Sequence, residues 1–176
     1  ELKAVDARYP LYGQVALDPA GDLWDVLAAR DGVFGAAADA GLLARLGLAV
    51  GARIFVGAAA IEIRAVLKSE PDRLASGVGF GPRLLLTVEA LRATALLQPG
   101  SLVRWHYKLR LPANNAGDRA TEAVAAAAQA AFPQAGWEVR TRANAAPQLE
   151  RNIERFTQFL TLVGLTALLV GGVGVA

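Results

Sequence analysis

His106 is the only histidine of this sequence, and there is no cysteine, so histidine-dependent nucleophilic catalysis would have to use this residue. A Ser–His–Asp hydrolase would have to be built around it. His106 stands where basic and apolar side chains alternate, which is typical of a solvated surface position. The sequence also offers no second histidine for zinc and no carboxylate cluster for calcium. We therefore predict no catalytic residue, no metal site and no cofactor, and hence a chain that is not an enzyme.

The glycines of residues 77–81 (Gly-Val-Gly-Phe-Gly) resemble a phosphate-binding loop in composition only. No Lys-Ser or Lys-Thr pair follows them, and they lead into Pro82 instead of opening a helix, so no helix N-terminus would hold a phosphate. ATP hydrolysis is therefore expected on another chain. Nucleic acid is not an expected partner, since 18 Lys and Arg nearly balance 16 Asp and Glu without a basic tract.

The stretch Val103–Leu111 shows the strictest alternation in the chain. Its apolar members are Val103, Trp105, Tyr107, Leu109 and Leu111, and its basic members are Arg104, His106, Lys108 and Arg110. This pattern predicts a strand with one buried and one solvated face. The basic row could bind anionic lipid headgroups or an acidic partner. Because charges are common on exposed strand faces, we favour an ordinary solvated face.

Other stretches with a β-type pattern should form the rest of the sheet. They are Tyr9–Leu17, interrupted by Pro10 and Gly13; a hairpin of Arg53–Val56 and Ile61–Leu67; and the short strands Arg83–Leu86 and Trp137–Arg142. In the hairpin, Ile61, Ile63, Ala65 and Leu67 are expected on one face. Ser69–Pro82 is rich in Gly, Pro and Asp, which indicates a long connection or a subdomain boundary.

Three helices are predicted between these strands. Asp39–Leu48 should be capped by Asp39 and ended by Gly47 in a left-handed conformation; Val88–Thr94 should be capped by Thr87; and Asp118–Phe132 should be capped by Asp118 and stopped by Pro133. The mixture of strands and helices predicts an α+β fold.

The C-terminal residues 156–176 carry no charged side chain. At about 1.5 Å rise per residue they would extend roughly 31 Å as a helix, which matches the roughly 30 Å core of a bilayer. A buried helix of a soluble domain or a signal peptide fits this length and position less well. We therefore predict a transmembrane helix, and because the chain has no Met and ends inside this apolar run, we expect it to belong to a longer membrane protein.

A stalk of residues 146–155 should lead into the membrane helix. Its apolar side chains continue a helical spacing of three and four, and we predict that Leu149, Ile153 and Phe156 couple the stalk to the folded domain or its neighbour. In the membrane, small residues at similar spacing would let another helix approach closely: Gly164, Ala167, Gly171 and Gly174.

Several short motifs, taken in order, give this chain a family resemblance. They are Tyr9-Pro-Leu-Tyr-Gly-Gln-Val, Leu43-Ala-Arg-Leu-Gly-Leu-Ala-Val-Gly51, Ala65-Val-Leu-Lys-Ser-Glu-Pro-Asp-Arg73, Gly79-Phe-Gly-Pro-Arg83, Leu97-Gln-Pro-Gly-Ser101 and Asn152-Ile-Glu-Arg-Phe156. Together with the C-terminal apolar run, they resemble the extracytoplasmic domain and second transmembrane helix of the FtsX-like permeases of ABC transporters, the MacB and LolC/LolE group. The resemblance covers nearly the whole chain.

The resemblance implies a two-part extracytoplasmic domain in residues 1–145. Glu1–Arg30 and Arg83–Asn144 would form an αβ sandwich layer, and residues 31–82 would be an inserted, small β-rich subdomain. The stalk (146–155) and a truncated transmembrane helix (156–176) would follow.

The resemblance also implies a non-catalytic permease subunit in the bacterial inner membrane, with its folded domain in the periplasm. Its expected partners are an ABC ATPase subunit, a second permease copy and membrane lipid. The implied work is mechanotransmission, in which ATP hydrolysis drives the extraction or export of a hydrophobic or lipid-linked substrate. The alternative is a signalling module that regulates a periplasmic partner such as a cell-wall hydrolase.

Overall fold

The computed structural model describes residues 1–71, 81–112, 117–141, 156–164 and 166. The chain divides into two compact units, residues 1–108 and residues 109–176. Within the described residues there are six strands and five helical segments, which confirms the predicted α+β class.

The first unit is built on one mixed sheet. Its strands are β1 (Leu2–Val5), β2 (Ala16–Asp18), β3 (Phe34–Asp39), β4 (Arg53–Val56), β5 (Ala59–Ser69) and β6 (Leu84–Thr87). The strand order is β1-β6-β3-β5-β2, and β4 also pairs with β5. Pairs β1–β6 and β3–β5 are parallel, whereas β3–β6, β2–β5 and β4–β5 are antiparallel.

The predicted hairpin is confirmed as β4 and β5. Arg53 pairs with Glu62 and Val56 with Ala59, so the two strands meet at a tight turn through Gly57 and Ala58. Gly57 has φ +56°, and an added Cβ would lie 2.0 Å from the Thr94 carbonyl oxygen. Glycine is therefore required here both by the backbone conformation and by the space.

A bulge between β3 and β5 divides the apolar residues of β5 between two faces. Ala36 pairs with Ile63 but Ala37 pairs with Ala65, so Arg64 is an extra residue of β5 at this point. Ile61 and Ile63 consequently belong to one core cluster, and Ala65 and Leu67 to the other. The prediction that these four residues share a face was wrong, because an extra residue reverses the side-chain alternation that follows it.

The sheet is thus covered on both faces, and each face has its own core. One core contains Ala36, Ala38, Leu43, Ala59, Ile61, Ile63, Leu84, Leu86 and Ala90. The other contains Val5, Leu17, Leu23, Leu27, Ala37, Ala65, Leu67 and Leu85. Three helices supply some of these side chains: α1 (Leu23–Leu27), α2 (Ala40–Leu46) and α3 (Val88–Ala93).

The helix caps agree in part with the predictions. The Thr87 hydroxyl accepts a 3.0 Å hydrogen bond from the Ala90 amide, as predicted for the start of α3. Gly47 ends α2 with φ +65°, also as predicted. Asp39 stands at the N-cap of α2 but makes no side-chain cap hydrogen bond, because its carboxylate accepts from the Arg83 amide instead.

The second unit contains α4 (Asp118–Ala131) and a C-terminal helical segment, residues 156–164. The N-cap of α4 is Gly117, so Asp118 is its first helical residue and not the predicted cap. Phe132 follows the helix, and its ring lies 5.2 Å from the ring of Trp137.

Three strand predictions were wrong in whole or in part. Residues 103–111 and 137–141 form no strand, although both alternate, because no described neighbour forms a ladder with them. Of Tyr9–Leu17, only Ala16 and Leu17 are in a strand, since Pro10 lacks an amide hydrogen and Gly13 has φ +75°. The strands β1 and β3 and the helix α1 were not predicted.

Within the described residues, no helix combines the length and apolar character needed to cross a bilayer. The predicted transmembrane helix is described only at residues 156–164 and 166, and the stalk lies outside the described residues. Both therefore stay predictions. One sheet combines β1 and β2 from residues 1–30, β3 to β5 from residues 31–82, and β6. The predicted subdivision of residues 1–145 also stays a prediction.

Candidate functional site

A group of charged side chains meets at one end of the sheet, and we call Lys3, Tyr9, Glu70 and Arg83 the Glu70 cluster. Lys3 is on β1, Glu70 directly follows β5, and Arg83 directly precedes β6. Because β1 and β6 are parallel neighbours, with Leu2 beside Leu84, their N-terminal ends bring Lys3 and Arg83 to the same end of the sheet.

Glu70 is the centre of this cluster. Its carboxylate accepts from Lys3 Nζ at 2.6 Å and from the Tyr9 hydroxyl at 2.9 Å, and it forms an ion pair with the Arg83 guanidinium. The Glu70 side chain is 1% exposed and that of Arg83 is 6% exposed. Lys3 Nζ also lies 4.6 Å from the centre of the Tyr9 ring, a cation–π distance.

Arg83 extends the cluster to two further parts of the first unit. Its Nη2 donates to Glu1 Oε2 at 2.9 Å, and this hydrogen bond, with the positive charge of Arg83, lowers the pKa of the Glu1 carboxyl. Its backbone amide donates to Asp39 Oδ2 at 2.9 Å, while the Asp39 amide donates to the Arg83 carbonyl at 2.8 Å. Arg83 thus connects β1, the end of β3 and the end of β5.

The chemistry of this arrangement is that of an ion network. Lys3 and Tyr9 both donate to Glu70 Oε2, and Arg83 forms an ion pair with the same carboxylate, so three chain segments meet at one buried charge. The described residues also contain no group of three or more His, Cys, Asp or Glu side chains able to hold a metal ion. The cluster therefore fastens chain segments to each other.

A shallow groove of about 440 Å³ lies elsewhere on the first unit. Its lining residues are Gly21, Asp22, Asp25, Val26, Arg30, Val50, Gly51, Glu62 and Arg64. Arg64, the bulge residue of β5, donates to the Ala28 carbonyl at 2.6 Å and to Glu62 Oε2 at 2.9 Å. The hydrogen bond from Arg64 is the main cause of the lowered pKa of Glu62, and the charge of Arg53 adds to it. Arg64 Nε and Nη1 thus join Glu62 to the end of α1 at a structural junction, whereas Arg64 Nη2 is buried without a hydrogen-bond partner among the described residues.

The close packing at this junction depends on Gly35 of β3. A Cβ added there would lie 1.9 Å from the Val26 carbonyl oxygen and 2.7 Å from Arg64 Nη1. Only glycine lets the end of α1 approach the sheet so closely.

The predicted coupling and packing residues lie mostly outside the described part of the chain. Those outside it are Leu149, Ile153, Ala167, Gly171 and Gly174. Phe156 begins the C-terminal helical segment and is 68% exposed. Gly164 is in the same segment, and no heavy atom lies within 4 Å of the position its Cβ would take. The described structure brings none of these predicted residues together.

The Glu70 cluster was missed by the sequence-based argument. Glu70 and Arg83 both occur in the motifs that carry the family resemblance, yet no spacing rule connects residues on opposite sides of a long connection. The available signal is weak: two opposite charges, each next to an apolar strand, flank the same connection. Their pairing requires that β5 ends and β6 begins at the same side of the sheet.

Comparison with known proteins points to one relative. The chain is 31% identical, over an alignment of 178 residues, to the "Uncharacterized ABC transporter permease YbbP" of Escherichia coli (strain K12). The match covers 99% of this chain and 20% of the relative, so the chain spans about a fifth of that protein's length. No family model and no solved structure matches the chain. With nearly the whole chain aligned at this identity, the match supports the assignment as ABC transporter permease-like, of the MacB and FtsX type, that the motifs predicted.

Proposed function

We propose that this chain is the extracytoplasmic domain of an ABC transporter permease subunit in the bacterial inner membrane, with its folded part in the periplasm. The observation that carries the proposal is the match to an ABC transporter permease over 99% of the chain. The subunit would couple ATP hydrolysis on a separate, cytoplasmic ATPase chain to the extraction or export of a hydrophobic or lipid-linked substrate. It would have no catalytic residue of its own.

The proposed mechanism is mechanotransmission through a continuous helix. The apolar spacing of Leu149, Ile153 and Phe156 supports a stalk that runs into the membrane helix, and residues 156–164 are helical. A helix that is continuous through the membrane transmits displacement because it does not easily bend in its middle. In the proposed cycle, closure of the ATPase moves the stalk, and the stalk moves the domain.

The first unit has the features of a body that can move without deforming. Its sheet is packed on both faces, and the Glu70 cluster joins β1, β5 and β6 at one end. Displacement of one strand is then shared by its neighbours, since close-packed interiors transmit strain. The glycine and alanine spacing of residues 164–174 supports close packing against another helix of the bundle, including that of a second permease copy.

The decisive variants are Ile153→Asp and Phe156→Asp, made together in the full-length permease with its ATPase. This chain has no cysteine, so once any cysteines elsewhere in the full-length permease are replaced, a single introduced Ala49→Cys can carry a spin label on the exposed turn after α2. We expect an ATP-dependent change in the label-to-label distance between two permease copies. The double variant should abolish this change while ATP turnover and assembly persist.

A matched control is Phe55→Asp, which changes an aromatic residue of β4 that is 80% exposed. This variant should keep the ATP-dependent distance change. An unaltered response in the Ile153→Asp/Phe156→Asp protein would refute mechanotransmission through the stalk. Co-purification of the whole complex then separates two outcomes, because bound lipid supports transport and a bound cell-wall hydrolase supports the signalling alternative.

A further inference from the structure

Residues 101–108, which we call the aromatic–basic segment, expose large apolar and basic side chains together. Leu102 is fully exposed, Trp105 is 57% exposed and Tyr107 is 79% exposed. Arg104 and His106, between them, are exposed as well. The segment is part of no described ladder, so a solvated sheet face does not explain its basic side chains. Exposed apolar side chains grouped in this way mark an interaction surface.

Along the sequence, the charged side chains around the segment are of one sign. Between Glu89 and Asp118 the sequence has Arg92, Arg104, Lys108 and Arg110 but no carboxylate. These four cations exceed the net charge of +2 of the whole chain, so the remainder of the chain is net acidic. A partner for this surface should therefore be anionic.

The aromatic residues narrow the class of partner. Trp and Tyr have an apolar ring and a polar group, and both are enriched at the boundary between water and lipid. Lys and Arg can lay their apolar stems on such a surface while their charges remain with the phosphates. An acidic protein would match only the charge, whereas an anionic lipid surface matches the charge and accepts the rings.

We propose that the aromatic–basic segment binds the headgroup layer of an anionic bilayer, with the rings of Trp105 and Tyr107 at the level of the headgroups and Arg104 and Lys108 beside the lipid phosphates. This goes beyond the proposed function, since a permease domain can transmit force without touching lipid. A failure of the lipid contact would leave the stalk experiment unaffected.

The test uses the full chain reconstituted in vesicles of phosphatidylcholine alone or with a quarter phosphatidylglycerol. Trp24→Phe and Trp137→Phe leave Trp105 as the fluorescent residue, and the lipids carry bromine near the headgroup as a quencher. We expect quenching and a blue shift of Trp105 emission in the anionic vesicles, and loss of both in Arg104→Glu/Lys108→Glu. Since each Lys or Arg near an anionic surface contributes about fivefold to binding, the two reversals should lower membrane contact at least about 25-fold.

A matched control reverses two exposed arginines outside the segment, Arg8→Glu and Arg119→Glu, and should keep the quenching. If removing Trp24 or Trp137 disturbs the fold, the difference in quenching between wild type and Trp105→Phe measures the same quantity. Equal Trp105 emission in neutral and anionic vesicles would overturn the proposal. Binding of a polyglutamate peptide through Arg104 and Lys108, without quenching in vesicles, would also overturn it and would indicate an acidic protein partner.

Discussion

Strand β5 and residues 101–112 have similar sequence patterns but different structures. In both stretches, apolar side chains alternate with charged ones. However, β5 pairs with β2, β3 and β4, whereas residues 101–112 are in no described ladder. Ile63 is fully buried, while Leu109 is 77% exposed. Alternation therefore shows only that a stretch is compatible with a strand. A strand forms when a neighbouring strand is also present to pair with it.

The two units contain ion pairs that differ in burial. Glu70 and Lys3 meet at 2.6 Å with Glu70 almost fully buried. Glu138 and Arg140 meet at 2.9 Å, but both side chains are more than half exposed. Burial decides the energetic weight of the two contacts, because water screens the second and not the first.

The largest expected difference is in amide hydrogen exchange. Amides of β5 should exchange only on unfolding of the first unit, and therefore orders of magnitude more slowly than amides of residues 101–108, which lack a ladder. Exchange measured by mass spectrometry on the full chain tests this. Strong protection of both stretches would break the comparison, because it would show that residues 101–108 have a hydrogen-bonding neighbour.

Replacement of the buried carboxylate should be the most destabilising single change. Glu70→Ala leaves Lys3 and Arg83 without their shared partner, and we expect a loss of about 3–5 kcal/mol in the free energy of unfolding. Glu138→Ala is the control and should leave the free energy of unfolding nearly unchanged, because water screens this exposed pair. Denaturant titration of both variants provides the measurement, and equal effects would contradict the assignment of the Glu70 cluster as a buried network.

Truncating one apolar side chain in β5 and one in residues 101–112 measures how much each side chain contributes to stability by packing. Ile63→Ala should lower the free energy of unfolding by about 2–5 kcal/mol, because it removes a fully buried side chain from a closed core. Leu109→Ala should lower it by less than about 0.5 kcal/mol. Comparable losses in thermal or denaturant unfolding would show that Leu109 is packed in solution.

Adding one methyl group should lower the stability at the closely packed Gly35 but not at the open position of Gly21. Gly35→Ala would place Cβ against the Val26 carbonyl and should destabilise by about 1–3 kcal/mol, since the end of α1 has to move away. Gly21→Ala meets no heavy atom within 4 Å and should be neutral. Melting temperatures test the pair, and an unaffected Gly35→Ala protein would show that α1 lies farther from β3.

The smallest expected effect is a change in pH dependence. The pKa of Glu62 is lowered in the folded chain, chiefly by the hydrogen bond from Arg64, so the unfolded chain binds the proton more readily. The stabilisation is present above the ordinary glutamate pKa and is lost as the pH falls through the lower folded-state pKa. Glu62→Gln should flatten the stability profile in that window.

Arg53→Gln provides the control for the pH profile. Arg53 Nε lies 3.5 Å from Glu62 Oε1, farther than the 2.9 Å between Arg64 Nε and Glu62 Oε2. Its removal should therefore flatten the profile less than Glu62→Gln does. If Arg53→Gln had the larger effect in acid denaturation curves, Arg64 would not be the main partner of Glu62.

Local features of the fold were predictable, and long-range ones were not. The β4–β5 hairpin, the Thr87 cap and the left-handed end of α2 at Gly47 follow from residues adjacent in sequence. The bulge at Arg64 and the use of Asp39 as an acceptor for Arg83 could not be predicted in this way. Both depend on neighbours that the chain supplies far along its length.

The sequence by itself determined the family, the α+β class and the positions of most helices, because these depend on motif order and on local periodicity. The tertiary structure alone decided which alternating stretch became a strand, which face each side chain of β5 occupies, and that Glu70 meets Lys3 and Arg83. The physical reason is that a ladder and a buried ion network both require partners from distant segments. The local residue pattern does not specify which distant segment packs beside it.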